Sequence, residues 1–342
     1  MENFIEYVHI KNFKSIVDLR LEDCRRINLF IGYPNVGKSN VLEALSLFSV
    51  PFLEERESLN KLIRLENLPE LFYNSSHTSS EISSNLKTIE LSLKLSELEI
   101  SLDNNNENGD KTFYSFSKEI YLLSKIFFSN SRKINFDDKS NTKRYIFNPN
   151  NKWMSNGSGQ LLPPFGENII DTLSYNPNVS EVKKWIANEL SKSNKELVLD
   201  KTTNSLKFQQ RLNKQEVFIL PYSSLADTLQ RLIFYKTAIA SNKNSVLLFE
   251  EPEAHAFPPY IQTIMQDIID AESNQFFMVT HSPLVVNAFL EYEKLRKETS
   301  IYLFDFKDNQ TTAKRLSDEE IELAYEYGDD LFFNLENLLI NG

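Results

Sequence analysis

The chain is short of several things, and each shortage excludes something. It holds a single cysteine, Cys24, so no disulfide framework can staple it internally, and a buried thiol in a reducing compartment is the expectation. No apolar run approaches the ~18 residues needed to cross a bilayer, and the opening MENFIEYVHIKNFKS lacks the apolar core of a secretion signal. A cytoplasmic protein with no membrane partner is therefore predicted. Positive charge is scarce: 37 Lys and Arg stand against 48 Asp and Glu, for a net charge of −11. That balance argues against a broadly basic nucleic-acid surface and leaves room only for a local patch. One cysteine and four scattered histidines, at positions 9, 77, 255 and 281, give no zinc spacing. No short-period repeat or sustained heptad is present. What remains is globular in composition, 41% hydrophobic and 12% aromatic, and 342 residues suffice for one large or two modest domains.

The strongest local signal is residues 27–45, INLFIGYPNVGKSNVLEAL. Ile27, Leu29, Phe30 and Ile31 read as a buried strand, and Val41, Leu42 and Leu45 as the apolar side of a helix. Between them stands G-x-x-x-x-G-K-S, with Gly32, Gly37, Lys38 and Ser39, followed by Asn40. Glycines permit the tight turn, and successive N–H groups of the loop that Pro34, Asn35 and Val36 span face phosphates, Pro34 itself having none to give. Lys38 reaches their β/γ oxygens and the Ser39 hydroxyl suits Mg²⁺. The helix N-terminus adds its own positive end. Nucleotide binding is the prediction.

A second signal is SVLLFEEPE: four apolar residues deliver Glu250 and Glu251 to a strand's C-terminal end, where α/β sheets bind ligands. Glu250 suits the metal shell and Glu251 can polarise an attacking water. One strand later comes Thr280-His281-Ser282-Pro283, placing His281 at the same edge to donate to a γ-phosphate. GYPNVGKS also looks like the first motif of translation-associated GTPases. No glycine here has Asp three positions before it, however, and no Asn-Lys pair has Asp two positions later. ATP is favoured.

Along the chain, strands are predicted at 4–10, 16–21 and 27–31, and a helix then loop over 54–71. Two antiparallel strands or one long bent strand are expected over 86–102, a hairpin or loop at 104–110, and strand or helix over 114–128. Residues 130–158 read as mostly exposed loop with one strand near 145–147. Helices at 168–173 and 181–190 precede short strands at 198–200, 206–208 and 217–220. From 223 the pattern is α/β: helices at 225–240, 259–271 and 284–289 alternate with strands at 245–249, 275–279 and 299–306. Ser317 with Glu320 forms a capping box for a last helix that Gly328 ends. The nucleotide core is thus expected in two pieces, 1–50 and 217–342, around an inserted β-rich and helical lobe, 51–216.

These motifs together resemble the ABC-type ATPase heads of the SMC, RecF and OLD group. The resemblance rests on IKNFKSI (10–16), GKSNVLEAL (37–45), EEPEAH (250–255) and THSP (280–283). It implies an α/β P-loop NTPase fold with a mixed sheet flanked by helices, ATP and Mg²⁺ as cofactors, and a homodimer sandwiching ATP. In such heads a signature loop opening a helix touches the γ-phosphate of the other subunit, which points here to Ser223 and Ser224. A Gln contacting Mg²⁺ is expected, and Gln160 is the candidate. The sequence departs from the group in three ways: the signature glycines are missing, Glu250 stands where many relatives have Asp, and Phe257 replaces the second His of E-x-H-x-H-P. No acidic cluster of the Toprim nuclease type follows His281, so the resemblance implies an ATPase that regulates a separately encoded effector in anti-phage defence, often a nuclease. A RecF-like head binding DNA ends is the alternative, with Arg132, Lys133, Lys139, Lys143 and Arg144 as its contacts.

Overall fold

The computed structural model describes residues 3–53, 57–75, 78–95, 97–104, 111–117, 123–128, 140–213, 215–328 and 330–340. The strands are β1 (Val8–Phe13), β2 (Ile16–Leu21), β3 (Ile27–Gly32), β4 (Ser79–Ser84), β5 (Thr88–Leu93), β6 (Glu97–Asp103), β7 (Lys111–Ser117), β8 (Leu123–Phe128), β9 (Thr142–Tyr145), β10 (Lys195–Asp200), β11 (Ser205–Arg211), β12 (Val217–Pro221), β13 (Val246–Glu250), β14 (Gln275–Val279), β15 (Thr299–Lys307) and β16 (Gln310–Arg315). The helices are α1 (Lys38–Ser46), α2 (Ile169–Tyr175), α3 (Ser180–Ser191), α4 (Asp227–Ser241), α5 (Pro258–Asp270), α6 (Pro283–Leu290), α7 (Glu293–Glu298), α8 (Asp318–Tyr327) and α9 (Leu335–Ile340).

The chain divides into two compact units. The first comprises Met1–Arg144, Asn244–Glu251 and Asn274–Gly342. It contains a six-stranded sheet in the order β16-β15-β3-β14-β13-β9 and a seven-stranded sheet in the order β2-β1-β4-β5-β6-β7-β8. In the six-stranded sheet β13, β14, β3 and β15 run parallel, with Met278 opposite Leu29 and Ile301 opposite Leu29 on the other side. Every residue of β3 and β14 is buried, which accounts for runs that are apolar apart from Asn28 and Gln275: a strand covered on both faces has no polar side to alternate with. Phe30 meets the rings of Phe277, Tyr302 and Phe304 with centroids 5.1–6.0 Å apart. Helix α1 contributes Val41, Leu42 and Leu45 to the same cluster, which extends to Ile10, Ile82 and Ile100 of the antiparallel sheet.

The second unit comprises Tyr145–Lys243 and Pro252–Ser273. It holds the three-stranded sheet β10-β11-β12 with α2, α3, α4 and α5. Its boundaries differ from those expected at 50/51 and 216/217. The β-rich half of the expected insertion is continuous with the N-terminal hairpin, because β4 pairs directly with β1 (Ile10 opposite Ile82). Residues 252–273, expected in the nucleotide core, belong to the second unit.

One local expectation is corrected. The described part of 54–71 forms only 3-10 turns, Leu59–Lys61 and Leu68–Leu71. Ser58 caps the first turn, Pro69 opens the second, and between them the chain bends to bring Arg64 onto acidic partners. The described part of 114–128, expected as strand or helix, lies in the strands β7 and β8. An unforeseen strand, β16, follows β15 through Asp308-Asn309, whose positive φ values of 51° and 60° make a tight two-residue hairpin. The loop expected at 104–110 lies, from 105 on, outside the described residues. Ser317, Glu320 and Gly328 do bound α8, the box closed in both directions.

Candidate functional site

The phosphate loop leaves β3 with its backbone in conformations that favour glycine or asparagine. Gly37 (φ 97°) and Asn35 (φ 64°) are left-handed, and at Gly32 (φ 151°) a Cβ would sit 2.5 Å from the Phe304 carbonyl oxygen. Gly37 precedes α1 as its N-cap with no side-chain cap, so the helix N-terminus keeps its positive end available to an anion. A Cβ on Gly37 would lie 2.0 Å from Thr311 Oγ1, because β16 seats Thr311 against the loop. Thr311 and Ser15 share a hydroxyl–hydroxyl bond of 2.6 Å, and Asn40 Nδ2 donates to Ser15 Oγ at 2.6 Å. Gly37→Ala should therefore destabilise the fold by about 1–3 kcal/mol, the range for forced backbone strain with a close clash. A urea-unfolding midpoint equal to the parent's would contradict this.

Lys38 is buried and donates to the carbonyls of Gly32 (2.8 Å) and Tyr33 (2.7 Å). Burial lowers its pKa to about 8, and Glu251 opposes that shift. Pro34 and Asn35 are exposed, and Val36 is packed in the core cluster. The Ser39 hydroxyl lies near enough to the Glu250 carboxylate to favour its charged form. Glu250 ends β13, and Glu251 follows in a left-handed conformation (φ 44°), its N–H donating to the Val279 carbonyl at 2.9 Å. Strain of that kind is held at functional sites by the structure around them. His281, just past β14, brings Nε2 to 3.6 Å from Glu251 Oε1. Burial, then the Lys38 charge, keep the imidazole below its ordinary pKa, with Glu251 pulling the other way. The C-terminal ends of three neighbouring parallel strands, β3, β14 and β13, thus bring Lys38, Ser39, Glu250, Glu251 and His281 to one edge.

The sequence did not reveal what surrounds Glu250. Arg144 Nη2 lies 2.7 Å from its Oε2 and Arg64 Nη2 3.2 Å from its Oε1. Arg64 also reaches the fully buried Glu43 of α1 at 2.6 Å, and Lys14 binds the other oxygen of Glu43. Burial alone would raise the Glu250 carboxyl; Arg144, the Ser39 hydroxyl and Arg64 outweigh it and hold the group below the usual carboxylate range. Lys143 and Arg144 are buried on β9, which corrects their reading as exposed contacts for DNA. Arg132, Lys133 and Lys139 lie outside the described residues.

Ser223 and Ser224 are exposed within a 3-10 turn, Tyr222–Ser224. They do not cap α4: Leu225 and Ala226 intervene in extended conformation, and Ala226 takes the N-cap position. Both serines belong to the second unit, as does Gln160, whose Nε2 donates to Asn242 Oδ1 at 3.0 Å.

The profile of the family described as "AAA domain, putative AbiEii toxin, Type IV TA system" matches residues 27–287, spanning the phosphate loop, both glutamates and His281. The chain belongs to this family. A protein of Helicobacter pylori (strain ATCC 700392 / 26695) named "ATP/GTP phosphatase" is 22% identical over 96% of the chain and 100% of that protein. An uncharacterized protein of Methanocaldococcus jannaschii is 43% identical over 61 residues, 18% of the chain and 26% of that protein. Among solved structures, an SMC head bound to the C-terminal winged-helix domain of ScpA covers 94% of the chain and 99% of its own, with a TM-score of 0.50 at 14% identity. This AAA-family protein is an ATPase with an SMC head-like, mixed α/β P-loop fold. Among its described residues, no helix is long and apolar enough to cross a membrane.

Proposed function

We propose that this ATPase binds ATP with Mg²⁺, pairs with a second copy across the nucleotide, and uses the cycle to regulate or load a separately encoded effector in anti-phage defence. The observation that carries the reading is the meeting of Lys38, Ser39, Glu250, Glu251 and His281 at one sheet edge. Residues 32–40 hold the phosphates and Lys38 exchanges its loop carbonyls for phosphate oxygens. Ser39 lies close enough to Glu250 to favour its charged form, so two hard oxygen ligands are neighbours, a set that suits Mg²⁺ with water and phosphate completing the shell. When bound, the metal neutralises phosphate charge. Glu251 accepts the proton of the attacking water, and His281 donates to the γ-phosphate. Ser223 and Ser224 serve the opposite copy through exposed hydroxyls rather than a helix cap. Gln160 would join the metal shell through its Oε1, its Nε2 donating to Asn242 Oδ1.

The effector reading draws on the toxin–antitoxin description of the family and on an SMC head that binds a partner domain. Its test is a tagged Glu251→Gln variant recovered from native cells with and without ATP, followed by mass spectrometry of co-purifying chains. A stoichiometric partner retained only with ATP is expected. Recovery of DNA with no protein would overturn the effector role and favour direct DNA binding.

A further inference from the structure

Both oxygens of the Glu250 carboxylate are held by guanidinium groups, and the two arginines differ in kind. Arg64 is 66% exposed, on a segment of 3-10 turns, and divides itself between Glu43 and Glu250. Arg144 is 3% exposed, on β9, the strand beside β13. Its Nη1 donates to the Leu62 carbonyl at 2.5 Å and its backbone N–H to Ser49 Oγ at 3.3 Å. An exposed ion pair is weak and exchanges readily with water or another charge, whereas a buried pair cannot open without stranding a charge. Ser39 approaches the same carboxylate. A divalent cation arriving beside Ser39 must therefore displace one guanidinium, and only the one on Oε1 has solvent to move into.

We propose that Arg144 is the positioning residue of this ATPase's metal-side carboxylate: a fixed buried cation that holds Oε2 and leaves Oε1 for the metal. Arg64 is the displaceable counter-ion that occupies Oε1 until metal and phosphate arrive together. This rests on Glu250 being the metal-side carboxylate. Glu43 keeps Arg64 tethered when it leaves, so the exchange needs no rearrangement of α1.

The test measures the affinity of a fluorescent ATP analogue in EDTA and in Mg²⁺, and takes the ratio of the two dissociation constants as the metal-dependent gain. Arg144→Met should lower that gain at least fivefold while affinity in EDTA stays within about twofold. Arg144→Lys, which keeps the charge and loses the fork, should fall between. Arg64→Met should leave the gain unchanged or raise it, because a competing cation is gone. A general structural defect would weaken binding equally with and without metal, and that result overturns the proposal. So does an Arg64→Met loss as steep as that of Arg144→Met. If Arg144→Met does not fold, as judged by circular dichroism, Arg144→Lys against Arg64→Met decides by the same ratio. Glu250→Gln separates the two layers of the argument. If it keeps the full gain, the assignment of Glu250 fails; if it abolishes the gain while both Arg144 variants retain it, only the positioning role fails.

Discussion

Replacing Glu251 by Gln should cut ATP turnover at least tenfold while ATP affinity changes by no more than about threefold. The substitution keeps the size of the side chain and its hydrogen-bonding capacity, but an amide cannot take a proton from water. Loss of a positioned general base typically costs about 10²–10⁴ in rate. The left-handed backbone at 251 is tied by its N–H to Val279, so the side chain's direction survives the change. Binding survives because the phosphates are held by the loop, Lys38 and the start of α1 rather than by this carboxylate. A head that binds ATP and cannot hydrolyse it should also accumulate as a dimer. Phosphate release, nucleotide titration and light scattering on the same sample report the three quantities. Turnover equal to the parent's would remove Glu251 from its assigned role.

Lys38→Ala should all but abolish ATP binding, weakening it by about a hundredfold or more. Lys38 is a desolvated cation whose partners in the free protein are two carbonyls of its own loop, Gly32 and Tyr33. Charge-assisted hydrogen bonds each contribute about 1.5–3 kcal/mol, and Lys38 would make more than one with the β/γ oxygens. The fold itself should be little affected. Burial already penalises the charge, as its lowered pKa shows, so its removal relieves a cost while leaving two carbonyls to water. Thermal unfolding with and without ATP separates the two effects. The variant's own midpoint should stay close to the parent's while the upward shift on adding ATP disappears. A shift of the parent's size would show that phosphate binding does not depend on this lysine.

The parts of the site that were legible in the sequence are those whose chemistry is local. Strand, loop and helix around residues 27–45 follow one another in the chain, and the apolar runs of β13 and β14 announce strands buried on both faces. The capping box at Ser317 and Glu320 is a four-residue device and can be read as such. What was hidden depends on distant partners. Lys143 and Arg144 follow a polar stretch and look solvated. Their burial makes sense only once Glu250, over a hundred positions later, stands beside Arg144. Arg64 likewise bends a segment with helical spacing into 3-10 turns because its partners lie on α1 and β13. Alternation identified the strands of 86–102, but nothing in it told that their sheet would continue onto β1 rather than stand apart. Ser223 and Ser224 have the composition of a helix cap, yet the helix begins at Asp227, where Ala226 gives up its place in the turn.

The position of β3 has a consequence for how the protein is made. This strand emerges well before its two neighbours in the six-stranded sheet, β14 and β15, which are encoded some 240 and 270 residues later. At translation rates of about 5–20 residues per second, INLFIG waits roughly 10–50 s for its partners. Through that interval a largely apolar strand, Asn28 its one polar side chain, has both hydrogen-bonding edges open, an invitation to aggregation. The nascent chain should therefore depend on a holding chaperone, or on provisional cover from the β1–β2 hairpin, until β14 and β15 have emerged.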